Sequence, residues 1–197
     1  MTAPEATNRP PSKRRAELLA TAAELFAERG FAGVTVDEIG AAAGVSGPAL
    51  YHHFDSKEAI LGEMLIGISA HLLSEARSIR DVSTPKSVLD ELIAMHVDFA
   101  VDRRALITVH FRDLPRATPD DQRRVRTLQR QYAEIWVSSL VERNPDLTTG
   151  IARSAVHAVF GLINSTPFSR PTRRVDTVKL LRTMAAGAFA ATVAMPR

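Results

Sequence analysis

Between Thr35 and Lys57 the chain reads TVDEIGAAAGVSGPALYHHFDSK, two helix starts with a glycine break between them. Thr35 and Glu38 form a T-x-x-E capping box, and Val34 and Ile39 take the flanking places of a hydrophobic staple. That helix ends at Gly44, where a sharp turn calls for a positive φ. Ser46 then caps a second helix, with Val45 and Leu50 as its staple and Pro48 in the first turn, where a missing N–H costs nothing. Two helices of about two turns joined in this way form a helix-turn-helix unit.

The rest of the chain is read around that unit. Residues 1–12 hold three prolines and no periodicity, and read as a flexible tail. A first helix begins near Lys13, carries Leu18, Ala22, Leu25 and Phe26 on one face, and closes at Gly30. A fourth helix over 56–79 connects this domain, residues 13–57, to a second one, residues 58–197. Hydroxyl-proline starts at Thr84-Pro85 and Thr118-Pro119, together with Pro115, Pro145, Pro167 and Pro171, place helices near 85–103, 104–112, 119–143, 149–165 and 174–194. No segment alternates as a strand does, so the expected fold class is all-α.

With 197 residues, 45% apolar and 24% charged, the chain has enough material for this architecture and the composition of a globular protein. It has no cysteine and no apolar run of about 20 residues, and Met1 to Arg15 lacks a secretory h-region. A cytoplasmic protein with no membrane partner is expected. No metal-ligand spacing, H-E-x-x-H, G-x-S-x-G or glycine-rich phosphate loop is present, so neither an enzyme nor a cofactor is expected. The net charge of +3 is not itself a nucleic-acid signal. Residues 1–56 carry five Lys/Arg against seven Asp/Glu, and the excess lies beyond them. The basic cluster Arg9, Lys13, Arg14 and Arg15 could approach phosphates or be merely solvated.

At 100° per residue on the third helix, Leu50 and Phe54 point inwards, Pro48 and His52 outwards, with Ala49 and Tyr51 on the flanks. Tyr51 and His52 can donate to phosphates of double-stranded DNA, while Pro48 and Ala49 can meet a thymine methyl and Gly47 allows close approach. Arg14, Lys57, Ser46 and the backbone around Thr35 are further candidate contacts. The plainer alternative for Tyr51 and His52 is exposure alone, and for His53 a packed position. With no Arg, Asn or Gln on this face, sequence preference must come from few contacts or from DNA shape.

Thr35 to Ile39, Ala43-Gly44-Val45-Ser46, Leu50-Tyr51-His52-His53-Phe54 and Ser56-Lys57-Glu58 together resemble the TetR family of bacterial transcriptional regulators, over about residues 13–65. Gly40 stands where that family commonly has alanine, and Pro48 where it often has glycine. The resemblance implies an all-helical homodimer that enters successive major grooves of a palindromic operator. It also implies a C-terminal domain that binds a small-molecule effector and releases the operator. An orphan or architectural DNA-binding protein without effector is the alternative.

Dimerisation has its own signal, because the last helix is apolar almost all round and must be covered on several sides. Gly161/Ser165 and Gly187/Ala191 put small residues one turn apart, so the last two helices can pair between subunits. An intramolecular core helix is the competing reading. For the effector the candidates are His96, Phe99, His110, Arg112, Arg124, Arg130, Tyr132, Trp136, His157, Phe160 and Asn164, aromatic and polar groups set beside the apolar stripe Leu89-Leu92-Ile93-Phe99-Ala100. The arginines of the 112–130 segment could hold phosphates in bidentate forks or form a solvated face. That segment resembles actinobacterial TetR-type regulators of lipid and acyl-CoA breakdown, which suggests an acyl-CoA effector.

Overall fold

The computed structural model describes residues 13–170 and 172–193. The proposed tail at 1–12, Arg9 within it and the boundary at Pro171 lie outside the described residues. The described chain is helical: α1 (Lys13–Arg29), α2 (Val36–Ala42), α3 (Gly47–Tyr51), α4 (Lys57–Val82), α5 (Val88–Asp102), α6 (Arg104–Asp113), α7 (Pro119–Arg143), α8 (Thr149–Ile163) and α9 (Arg174–Val193).

Most starts follow local chemistry. The Thr35 hydroxyl accepts from Glu38 N–H at 3.2 Å, and the Glu38 carboxylate accepts from Thr35 N–H at 2.7 Å, completing the capping box. Ser46, Ser56, Thr118 and Thr148 cap α3, α4, α7 and α8 in the same way. Gly44 makes the turn with φ 69°. Two expectations are corrected. The Thr84-Pro85 pair closes a separate turn, Ser87 N–H donating to the Thr84 hydroxyl at 3.3 Å, and α5 starts three residues late at Val88. The recognition helix is a little over one turn, so His52 is its C-cap rather than a residue within it.

Two apolar cores lie on either side of the middle of α4. The first gathers Phe26, Ile39, Leu50, Phe54, Ile60 and Leu65 from α1 to α4, and its far side is sealed by Val109 of α6 and Val125 of α7. The packing of the helix-turn-helix domain therefore reaches well past residue 57. The second surrounds Trp136 and draws on α5, α7, α8, α9 and the second half of α4. By length and composition α4 could cross a bilayer, yet here it lies along α7 and joins both cores through Leu61, Leu65 and Leu73.

Candidate functional site

The helix-turn-helix presents Pro48, Tyr51 and His52 to solvent, with Tyr51 55% exposed, over a buried side of Leu50 and Phe54. Ala49 is half-buried beside them. The α2–α3 crossing is tight at Gly47. A Cβ there would sit 1.8 Å from Asp37 Oδ1, so a side chain would have to turn the exposed Asp37 carboxylate aside. Gly47 is also buried. Gly40 lies against the Val45 carbonyl, at 3.0 Å from the Cβ it lacks, and so belongs to the same crossing.

Several expected phosphate contacts have duties inside the protein. Lys57 Nζ donates to the carbonyls of Phe31 at 3.0 Å and Val34 at 2.8 Å, and sits 4.5 Å from the centre of the Phe31 ring. It is a strut for the α1–α2 loop, whose carbonyls have no helical partner there. Arg14 donates to the Ala43 carbonyl at 2.8 Å and pairs with Glu17. Arg15 pairs with Glu63 at 2.5 Å, donates to the His53 carbonyl and lies over Phe54. The hydroxyls of Thr35 and Ser46 serve as caps. Glu38, held by Thr35 backbone and hydroxyl donors and then by Arg29, has its carboxyl lowered to about 2.

In the C-terminal half a cavity of about 630 Å³ opens between α4, α5, α6, α7 and α8. Its inner wall is aromatic, with His96, Tyr132 and Phe160 stacked at centroid separations of 5.2–5.7 Å. The Tyr132 hydroxyl meets His96 Nδ1 at 2.9 Å. Burial pushes the His96 imidazole down to about 4, a nearby Asn164 side chain opposing it, and pushes the Tyr132 phenol upwards. His96 is therefore neutral at pH 7. His110 is also lowered by burial and shares a 3.0 Å contact with Gln129. Arg126 and Arg130, both exposed to solvent, and Arg153, paired with Glu134, also line the cavity.

Of the expected effector contacts, His96, Phe99, His110, Arg130, Tyr132, His157, Phe160 and Asn164 share this cavity. Trp136 does not: it is fully buried behind the wall, edge-on to Phe160 at 5.0 Å. Arg124 is exposed and lies off the cavity. Arg112 points to the other domain, donating to the carbonyls of Phe26 and, at 3.2 Å, Ala27 at the end of α1 while pairing with the buried carboxylate of Asp113. Arg153 was missed because it sits on α8, outside the arginine-rich segment that drew attention.

An exposed, very short recognition helix on a rigid three-helix support, joined to a helical domain with a small-molecule cavity, defines a helix-turn-helix regulator of transcription. Residues 18–64 match the family described as bacterial regulatory proteins, tetR family, and residues 82–168 match the tetracyclin repressor-like C-terminal domain. The chain belongs to the TetR family of bacterial transcriptional regulators. It is 40% identical over 100 residues to the HTH-type transcriptional repressor KstR2 of Rhodococcus jostii, a match spanning 51% of this chain and 43% of that protein. To KstR2 of Mycolicibacterium smegmatis it is 33% identical over 134 residues, 67% of this chain and 65% of that protein. The chain thus spans about half to two thirds of the length of these relatives. The structure of the ketosteroid transcriptional regulator KstR2 of Mycobacterium tuberculosis superposes with a TM-score of 0.78 at 26% identity, covering 92% of this chain and 96% of that one.

Proposed function

We propose that this chain is a cytoplasmic repressor that binds a palindromic operator as a homodimer and leaves it when an acyl-CoA occupies the cavity. The observation that carries this reading is the cavity itself, with an aromatic wall and three arginines in its lining, two of them exposed to solvent. An acyl chain suits the interior, and phosphates suit guanidinium groups. A preformed space of this size also argues against an orphan or architectural protein, whose second domain needs only a filled core. DNA is met by residues 13–57 through Tyr51, His52, Pro48 and Ala49, and residues 58–197 supply effector binding and dimerisation. For the dimer, α8 and α9 bury one side each in their own subunit and leave Leu180 and Met184 58% and 48% exposed on the other. These two side chains, with Gly187 and Ala191, form an apolar stripe at i, i+4, i+7 and i+11.

Fluorescence anisotropy on the DNA upstream of the protein's own gene tests the reading. The dimer should bind a two-fold symmetric site, Tyr51→Ala should weaken it about tenfold, and short- to long-chain acyl-CoAs should release it. Operator binding unmoved by every acyl-CoA would overturn the effector.

A further inference from the structure

The cavity shares part of its lining with a second space. That space, about 600 Å³, lies between α1, α4, α5 and α6, against the first helix of the helix-turn-helix domain. Ile68, Leu72, Phe99 and Leu106 line both. All four are apolar and half-buried, so a partition one side chain thick divides the two spaces. Ile68 and Leu72 stand one turn apart on α4, Phe99 comes from α5 and Leu106 from α6. The partition also lies at the seam of the two cores, Leu72 and Phe99 packing against the second and Leu106 against the first.

Other parts of the lining have solid protein behind them. The aromatic wall of His96, Tyr132 and Phe160 rests on the fully buried Trp136, and a side chain removed there leaves a hole in the core. Behind the partition there is open space, faced by apolar groups that include Leu19 and Ala20 of α1 and Met95 of α5. A hydrocarbon chain would find similar surroundings on both sides. What halts it is side-chain bulk, and Phe99 is the bulkiest of the four. The arginines of the cavity stand on α7 and α8, on neither of the helices that carry Phe99 and Leu106. A ligand can therefore hold its phosphates with them and meet the partition with its tail.

We propose that Phe99, with Ile68, Leu72 and Leu106 beside it, sets the longest acyl chain that the effector can carry. This rests on the acyl-CoA reading above and adds a length limit to it. Gly67 supplies an independent handle. It is next to Ile68 on α4 and lines the second space without lining the cavity, and a Cβ there would meet nothing within 4 Å. A side chain at Gly67 fills the far side and leaves the near side as it is.

The test measures calorimetric Kd for the full-length protein with straight-chain acyl-CoAs from butanoyl to octadecanoyl, with far-UV circular dichroism to report that each variant is folded. In the native protein affinity should rise about fourfold with each methylene buried and then level off at a definite length. Phe99→Ala and Leu106→Ala should each carry the rise on for about two more methylenes, roughly a tenfold gain for the first chain past the native limit. Gly67→Leu should leave the native series unchanged and, combined with Phe99→Ala, bring the limit back. A limit unmoved in both alanine variants overturns the proposal, as does equal loss of binding at every length in both. So does a gain that Gly67→Leu fails to reverse, or a native series that never levels off. In each of these cases the acyl-CoA reading stands. Binding of no acyl-CoA by the native protein removes that reading and the length limit together.

Discussion

At the scale of single residues, two side chains carry consequences that can be measured. His96 is held neutral by burial down to about pH 4, against an ordinary value of 6.5. Between those values the unfolded chain binds a proton that the folded one refuses, so acid favours unfolding. Stability should fall as pH drops from about 6.5 to about 4, by on the order of 3 kcal/mol from this group. Urea titrations at several pH values should show that slope in the native protein and a flatter one in His96→Phe. Lys57 makes a different point. If its ammonium holds the Phe31 and Val34 carbonyls, Lys57→Met should cost about 2 kcal/mol, read as a lower urea midpoint. Unchanged stability with weakened DNA binding would instead return Lys57 to the phosphates.

At the scale of the helix, α6 joins the two halves of the molecule. Its inner face gives Ile107 and His110 to the cavity, and its last turn gives Arg112 to the carbonyls ending α1. Arg112→Met would strip those carbonyls and leave Asp113, 4% exposed, without its cation. Because the guanidinium is partly in water, the loss should be about 2 kcal/mol. It should appear in hydrogen exchange as faster labelling of the last turn of α1 than of α8. Elements like this also show where sequence stops informing. The caps at Thr35, Ser46 and Thr118 are local, made by atoms within three residues of each other, and so were legible, as were the turn at Gly44 and the buried side of Leu50 and Phe54. Thr84-Pro85 was misplaced because the same hydroxyl can close a turn one step before the helix. For Lys57, Arg14 and Arg112 the sequence shows a cation but not the carbonyls that the fold brings to it. The stacking of His96 on Phe160, residues 64 positions apart, was visible as residue types and not as geometry.

At the scale of the whole molecule, the stripe through Leu180 and Met184 is the proposed dimer face. A Leu180→Glu, Met184→Lys pair touches nothing in the subunit's own cores, so the monomer should stay folded. Sedimentation velocity should show it as a monomer, and operator affinity should fall at least a hundredfold, since each half-site is then held separately.

The internal duties of Lys57, Arg14 and Arg15 also bear on how the protein responds to ions. Each of these cations keeps its charge, but its position is set by a carbonyl or a glutamate of the protein itself. On the proposed reading, the exposed part of the recognition surface adds a phenol, an imidazole and two apolar groups, none of them a fixed cation. The logarithm of its binding constant should decline gently with the logarithm of salt concentration, with a slope set by few phosphate neutralisations per subunit.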